Sequence, residues 1–410
     1  MPELFQVITA TQANERLAQH LMRLQRIEQV SLTEALDRVI AEDLHSPTNL
    51  PTFPRSTMDG FAVRASDTYG ASEGLPAYLN LCGEVPMGQV AEVQVRLGEA
   101  ARVHTGGMIP SGSDAVVMIE NTQALDEQMI EVVRPVAVGE NVLPVGDDVR
   151  EGDVLFPQGH WLRPQDVGGL AGVGLTRVPV VARPRVAILA TGDEVVPADA
   201  PPDPGQIRDI NTHSVAALIR RAGGEPLSFG IAPDDATVMR QMAHEALANA
   251  DMLIISAGSS VSTRDMTAQI IAELGEPGVL VHGVSIKPGK PSILALADGK
   301  PVFGLPGNPV STMIVYQLFV TPALHQLLGC TNPPARPSVQ AKLAQNVASR
   351  SGSEDFVPVY LEQRSDGLWA VPIFGKSNLI YTMVRADGLL QVPLDQAGLY
   401  AEEAVTIQLF

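Results

Sequence analysis

Directly after short apolar runs, this sequence repeatedly places acids, lysines and glycine turns. The groups are Thr191-Gly192-Asp193-Glu194, then Asp234-Asp235, then Ser256-Ala257-Gly258-Ser259-Ser260 with Asp265 beyond it, then Lys287-Pro288-Gly289-Lys290-Pro291, and last Leu305-Pro306-Gly307-Asn308-Pro309-Val310-Ser311. If Glu194, Asp234 and Asp265 converge, each pair at about 6 Å repels by roughly 3 kcal/mol at an effective dielectric near 20, so the set requires a cation. Hard carboxylate oxygens with room for water and phosphate suit Mg²⁺ better than zinc. Lys287 and Lys290 bracket a Pro-Gly turn whose amides and two compact ammonium groups can face one anion. Taken singly, Asp234 reads equally as a helix cap and the lysine turn as a solvated bend.

Several other chemistries lack their usual signals. Five residues separate Gly283 from Gly289, and Pro291 stands where a phosphate loop needs Ser or Thr. There is no dinucleotide fingerprint after a predicted strand, no Gly-x-Ser-x-Gly elbow, and His244-Glu245 has no second His four residues on. Cys82 and Cys330 are far apart, which indicates neither a disulfide framework nor a zinc ribbon and suits a reducing cytoplasm. Only five of the 28 basic residues are Lys (287, 290, 300, 342 and 376), and three of them fall in the turns Lys287-Pro-Gly-Lys290 and Gly375-Lys376-Ser377.

The elements that must position these groups alternate. Apolar runs at Val186–Ala190, Pro226–Ile231, Met252–Ile255, Val279–Val284 and Val302–Leu305 interleave with helical stretches at 211–222, 235–249, 265–274 and 309–328. Strand and helix in alternation predict a parallel sheet covered on both faces, with ligands gathered beyond the carboxyl ends of its strands. Upstream, Leu17, Leu21, Leu24 and Ile27 have helical spacing over 11–28, with Leu36, Val39 and Ile40 extending it into a second helix. Pro- and Gly-punctuated short β runs such as Ala115–Ile119 and Ile130–Val133 then form a separate insertion, and the chain past Pro333-Pro334 is again β. The boundaries read as a helical N-terminal and linker domain over 1–46 and 142–180, a β-rich insertion over 47–141, an α/β domain over 181–330 and a β domain over 331–410. The fold class is thus multidomain, α/β plus β.

With 46 acidic against 28 basic residues the formal charge is −18, which disfavours nucleic acid and anionic lipid as partners. No apolar run approaches the roughly 18 residues of a membrane span. Residues 1–10 carry Glu3 and no Lys or Arg, unlike a targeting leader, so the expected location is cytoplasmic.

Seven motifs in order carry a resemblance. They are Ser56-Thr-Met-Asp59-Gly-Phe-Ala, Thr105-Gly-Gly-Met-Ile-Pro, Thr191-Gly-Asp-Glu, Asp234-Asp235, Lys287-Pro-Gly-Lys-Pro, Leu305-Pro-Gly-Asn-Pro-Val-Ser and Gly375-Lys-Ser377. Together they resemble the molybdopterin molybdenumtransferases, the family of MoeA and the gephyrin E-domain, over nearly the whole chain. The resemblance implies a three-layer α/β molybdopterin-binding domain with a mostly parallel sheet, a C-terminal β-barrel, and an elongated homodimer with a shared active site. It implies insertion of molybdate into adenylyl-molybdopterin with Mg²⁺-dependent release of AMP. Glu194, Asp234 and Asp265 fall on the family's acidic positions and would hold Mg²⁺; Asp59 and Thr105 would come from the other subunit. Lys287 and Lys290 would hold molybdate and phosphate. Thr191, Gly192, Asp193, Ser256, Gly258, Ser260, Pro288, Gly289, Pro306, Gly307, Asn308, Pro309 and Ser377 would line the substrate site. A molybdopterin adenylyltransferase is an implied partner. One departure stands out: Ala257 and Ser262 replace two glycines of the family's loop, which leaves a non-catalytic pterin- or oxyanion-binding or scaffold paralogue as an alternative, and the ending Arg264-Asp265 is similar to the related molybdopterin adenylyltransferases, which share this domain and are a second alternative.

Overall fold

The computed structural model describes residues 8–257 and 261–410, and of residues 261–264 the backbone alone. Its central sheet has six strands, in the order Glu225–Ala232, Arg185–Thr191, Met252–Ala257, Lys300–Pro306, Ile293–Ala297 and Pro277–His282. The first four run parallel. Along Arg185–Thr191 the side chains alternate between two cores, as period-two geometry requires. Val186 and Ile188 pack with Val215, Ile219, Ile314 and Phe319 on one face, while Ala187 and Leu189 pack with Met239, Ala243, Ile270 and Ile271 on the other. Helices Asn211–Arg221 and Pro309–Val315 therefore cover one face, and Ala236–Asn249 and Val261–Glu273 the other.

The sheet departs from the expected five-strand pattern in one place. Ile293–Ala297 is an additional strand, antiparallel to both of its neighbours, and it displaces Pro277–His282 to the far edge. The cause is the two-residue turn Asp298-Gly299, whose φ values of 50° and 85° close a hairpin with Ala297 opposite Lys300. Asp-Gly between apolar runs is the local signal for such a turn.

The N-terminal segment also differs. The helix spans only Ala10–Ala18, started by Thr9 and Gln12 in a reciprocal cap, and Ile27–Ser31 is a strand paired with Arg177–Val181. A single 3₁₀ turn, Leu32–Glu34, stands where a second helix was expected. Val178 and Val180 are fully buried partners for this strand, and that tertiary pairing overrides the helical spacing of Leu24 and Ile27.

Helix Pro309–Val315 runs on through a π turn, Tyr316–Val320, into Thr321–Leu327. Pro322 has no N–H and its ring excludes the carbonyl four residues earlier, which explains the wider turn. The freed Leu318 carbonyl accepts from Asn14 Nδ2 at 3.0 Å, and that of Gln317 from Arg336 at 2.6 Å. The helix irregularity thereby anchors both the N-terminal helix and the linker to the C-terminal domain.

The insertion is a mixed sheet in the order Ala115–Met118, Gly60–Val63, Glu99–Val103, Ala77–Glu84, Met129–Val132 and Thr122–Ala124. At the C-terminus, Glu354–Arg364, Gly367–Pro372, Ser338–Leu343, Ala404–Leu409 and Gly388–Val392 close into a five-stranded barrel, the last strand pairing back to the first. Ile286–Lys287, from the α/β domain, adds in parallel to Glu354–Asp355 at its rim. No helix among the described residues is long and apolar enough to cross a membrane.

Asp166, buried in the first turn of helix Pro164–Gly172, and His325, half-buried on helix Thr321–Leu327, give an acid response that can be measured. Burial pushes Asp166 upward, but its bonds from Arg163 and His160 outweigh this and hold it down to about 2, against the usual 3.8. Burial, with Arg336 nearby, holds His325 down to about 4, against 6.5. Between pH 6.5 and 4 the unfolded chain takes up a proton at His325 that the folded chain refuses, so stability falls with pH by about 2 kcal/mol in that window. The Asp166 contribution is lost separately, as pH falls from 3.8 toward 2. Trp161, whose ring meets His325 edge-on at 5.6 Å, reports this region. In a Trp369→Phe background, the denaturation midpoint read by Trp161 is expected to drop between pH 7 and 4.5, and His325→Gln is expected to flatten that drop.

Candidate active site

The carboxyl ends of Arg185–Thr191, Met252–Ala257 and Lys300–Pro306 open onto a cavity of about 250 Å³ lined by Thr191, Glu194, Asp209, Asn211, Ser256, Gly307, Asn308, Pro309 and Asn378. Asn211 organises it. Its Nδ2 donates to Ser256 Oγ and to the Gly307 carbonyl, both at 2.8 Å, tying the end of one strand to the loop after another. These two acceptors fix the amide orientation, so that among the described residues Asn211 Oδ1 is left buried without a partner. A buried orphan acceptor in a cavity wall calls for an N–H or O–H donor on the occupant. Glu194 is folded back against the chain: Gly192 has φ +132°, and a Cβ there would lie 2.6 Å from Glu194 Oε2.

A second cavity, of about 320 Å³, lies between the α/β domain and the barrel and is lined by Lys287, Pro288, Val310, Asp355, Lys376 and Ser377 among others. Lys287 Nζ is 2.8 Å from Asp355 Oδ2, whose residue is 3% exposed, and among the described residues Asp355 Oδ1 is buried without a partner. Gly289, at φ +115°, brings the lysine turn onto the helix; a Cβ there would meet Val315 Cγ2 at 2.5 Å. Asn308 joins the two cavities by donating from Nδ2 to Ser377 Oγ at 3.0 Å, and the Val310 N–H donates to the Ser377 carbonyl at 3.1 Å. The positive end of helix Pro309–Val315 sits at this junction.

The other expected residues distribute as follows. Asp193 is exposed and accepts from the Asp234 N–H at 3.0 Å; it lines a wider groove of about 1010 Å³ that adjoins the central cavity at Val195 and Asp209. Asp234 is exposed and lines neither cavity, and the cap of Ala236–Asn249 is Asp235, which accepts from Thr237 and Val238. Asp265 is exposed on Val261–Glu273, and Lys290 is exposed outside both cavities. Pro306 accepts from the Thr312 hydroxyl. Gly258 and Ser260 lie outside the described residues. Among the described residues, no three His, Cys, Asp or Glu side chains gather where they could hold a metal ion. Ala257 ends its strand opposite Pro306 with no positive φ, so its backbone does not require glycine.

In the insertion, the Thr105 N–H donates to Asp59 Oδ1 at 3.0 Å, and His104 lies between Asp59 and Glu84, 2.8 Å from Glu84 Oε1. The Thr105 backbone bond is the main cause that holds the Asp59 carboxyl below its usual value. This pair is not part of either cavity within the chain. Sequence reasoning missed Asp209, Asn211, Asp355 and Asn378 as cavity residues. Lys376 was legible only as one of the few lysines, placed in a glycine turn.

Comparison with known proteins places the whole architecture. Residues 8–174 match the family described as MoeA N-terminal region (domain I and II), residues 187–326 the "Probable molybdopterin binding domain", and residues 340–410 the MoeA C-terminal region (domain IV). A molybdopterin molybdenumtransferase of Bacillus subtilis is 33% identical over 394 residues, covering 95% of this chain and 91% of that protein. The chain belongs to the MoeA family. A molybdopterin molybdenumtransferase of Haemophilus influenzae is 31% identical over 406 residues, covering 98% of this chain and 99% of that protein. The crystal structure of the molybdopterin biosynthesis moeA protein from Pyrococcus horikoshii OT3 aligns with a TM-score of 0.86 at 33% identity, covering 99% of this chain and 100% of that one. As a MoeA family member the chain is a transferase of molybdenum cofactor biosynthesis, and its α/β domain, β insertion and closed barrel are those the resemblance implied.

Proposed function

We propose that this chain inserts molybdate into adenylyl-molybdopterin and releases AMP, using the two joined cavities as one site. The observation that carries the reading is the Asn308–Ser377 bond, which couples a polar cavity at the sheet edge to a lysine-bearing cavity against the barrel. Two anions must be brought together, so positioning and charge neutralisation matter more than a protein nucleophile. In this reading Lys287 and Lys376, with Ser377, receive molybdate, and the amide end of helix Pro309–Val315 faces the phosphates. Thr191, Ser256 and Asn211 hold the substrate in the central cavity, Asn211 Oδ1 accepting from a ring N–H. Two bonds from molybdenum to the dithiol sulfurs form as one molybdate oxygen leaves as water with the two thiol protons, and a water cleaves the phosphoanhydride, so that AMP departs and the metal-bearing pterin keeps its own phosphate.

Mg²⁺ with phosphate usually keeps only one or two carboxylates. Glu194 and Asp209 line the central cavity and would hold such an ion against the phosphates, whereas Asp234 and Asp265 do not line it, so the three acids expected from sequence do not form one cage.

The reading includes a cytoplasmic homodimer in which Asp59 and Thr105 of a second copy close the site, supplied with substrate by an adenylyltransferase. In cells lacking their own insertase, this chain is expected to restore molybdoenzyme activity. Asp59→Asn and Lys287→Met are each expected to fail, and to recover part of the activity when expressed together, because mixed dimers hold one intact site. Failure of the natural chain to restore activity overturns the function, and failure of only the mixture overturns the shared site.

A further inference from the structure

Asp59 lies in neither cavity of its own chain, so whatever aims its carboxylate belongs to the insertion itself. Two loops zipped together set the backbone there. The Gly106 N–H donates to the Ser56 carbonyl at 2.7 Å, the Ser56 N–H to the Gly107 carbonyl at 2.9 Å, and the Ile119 N–H to the Asp59 carbonyl at 3.0 Å. The side chain is less confined, since it is 61% exposed and several rotamers are open to it. One restraint is the Thr105 N–H on Oδ1. A second is His104, which lies outside the seven motifs and whose Nδ1 stands 3.6 Å from the same oxygen.

His104 is itself held. It follows strand Glu99–Val103, and Glu84 ends the parallel neighbour Ala77–Glu84, opposite Arg102. A carboxylate only accepts, so the 2.8 Å contact between His104 Nε2 and Glu84 Oε1 puts an N–H on Nε2 and turns Nδ1 toward Asp59. That bond is the largest cause holding the Glu84 carboxyl below its usual value, and Arg102 adds to it. For Asp59 the Thr105 backbone bond comes first, and His104 acts in the same direction. The charged groups around the ring are thus Asp59 and Glu84, with Arg102 behind. In the reading above, Asp59 enters a site that gathers molybdate and phosphates, and a loose carboxylate near such anions is turned away by like charge. A ring that donates from both nitrogens offsets that repulsion and keeps the carboxylate in place.

We infer that His104, braced by Glu84, is the positioning residue that aims Asp59 into the site of the partner copy. The inference rests on the shared site proposed above. His104 touches no ligand and acts through Asp59 alone, so its loss leaves substrate binding by the α/β domain intact and slows the reaction.

The test is AMP release from adenylyl-molybdopterin with molybdate, by the full chain and its variants. His104→Leu is expected to lower kcat about tenfold or more, the range in which small misplacements act, with KM for adenylyl-molybdopterin changed less than about twofold. Its thermal midpoint should stay within about 2 °C, because exposed pairs of this kind add little stability. His104→Asn, which keeps an N–H where Nδ1 stands, should regain more turnover than His104→Gln, which keeps only the donor toward Glu84. Co-expressed with Lys287→Met, His104→Leu should recover part of the activity in mixed dimers. With Asp59→Asn it should recover none, because both lesions fall in the same insertion. A thermal midpoint that falls along with turnover, recovery in Gln equal to that in Asn, or recovery with Asp59→Asn would each overturn the positioning role. Full turnover in His104→Leu while Asp59→Asn is inactive overturns this inference alone, and full turnover in both overturns the shared site beneath it.

Discussion

Gly192→Ala is expected to lower turnover about a hundredfold or more, the scale on which a misplacement of about 1 Å acts. The argument is geometric. At φ +132° an L side chain is strained, and the new Cβ meets Glu194 Oε2 at 2.6 Å, Cδ at 3.0 Å and Oε1 at 3.2 Å. Those atoms are the free end of a flexible side chain, so the Glu194 carboxylate is what yields, and it leaves the wall of the central cavity. The backbone strain itself should cost about 1–3 kcal/mol of stability. Glu194→Gln separates the two effects by changing the charge without the strain. If Gly192→Ala loses stability but keeps its turnover, Glu194 has no part in the reaction.

Lys287→Met should affect both stability and activity. It removes the cation from a carboxylate that is 3% exposed and already has one oxygen unsatisfied. Stranding a fully buried charge costs about 3–5 kcal/mol, and since the Lys287 side chain is 64% exposed, about 1–3 kcal/mol is the expected loss here. The Ile286–Lys287 strand on the barrel rim should loosen with it. Lys287→Met/Asp355→Asn should recover most of the thermal midpoint, because the neutral amide no longer needs a cation, and yet remain inactive. Recovery of turnover in the double variant would reduce Lys287 to a structural tie between domains.

Most of the sheet was legible because a strand covered on both faces is written as a continuous apolar run, as in Val186–Ala190 and Met252–Ile255. The additional strand Ile293–Ala297 was missed although Asp298-Gly299 marks its turn; its apolar run is interrupted by no helix and merges with the next. The N-terminal helix was overextended because Ile27–Ser31 takes its partner, Arg177–Val181, from nearly 150 residues away, which periodicity does not reveal. In the site, glycine turns and lysines announce themselves by type and spacing. Asn211, Asp209 and Asp355 do not, since each acts through contacts across elements: Asn211 joins Ser256 to Gly307, and Asp355 becomes a site residue only when the barrel docks on Lys287. Lone acids after strands also mislead, as Asp234 and Asp265 are exposed outside the cavities that Glu194 and Asp209 share in part.

The most direct test of the central claim is AMP release from purified adenylyl-molybdopterin, followed with and without molybdate, for the natural chain and for Asn308→Ala/Ser377→Ala. If the two cavities act as one site, AMP should appear only when molybdate is present, together with molybdenum bound to the pterin. Loss of the Asn308–Ser377 link should abolish this coupling while each ligand still binds alone. Tight binding of adenylyl-molybdopterin with no AMP under any condition would contradict the account and leave a protein that holds the pterin without transferring metal to it.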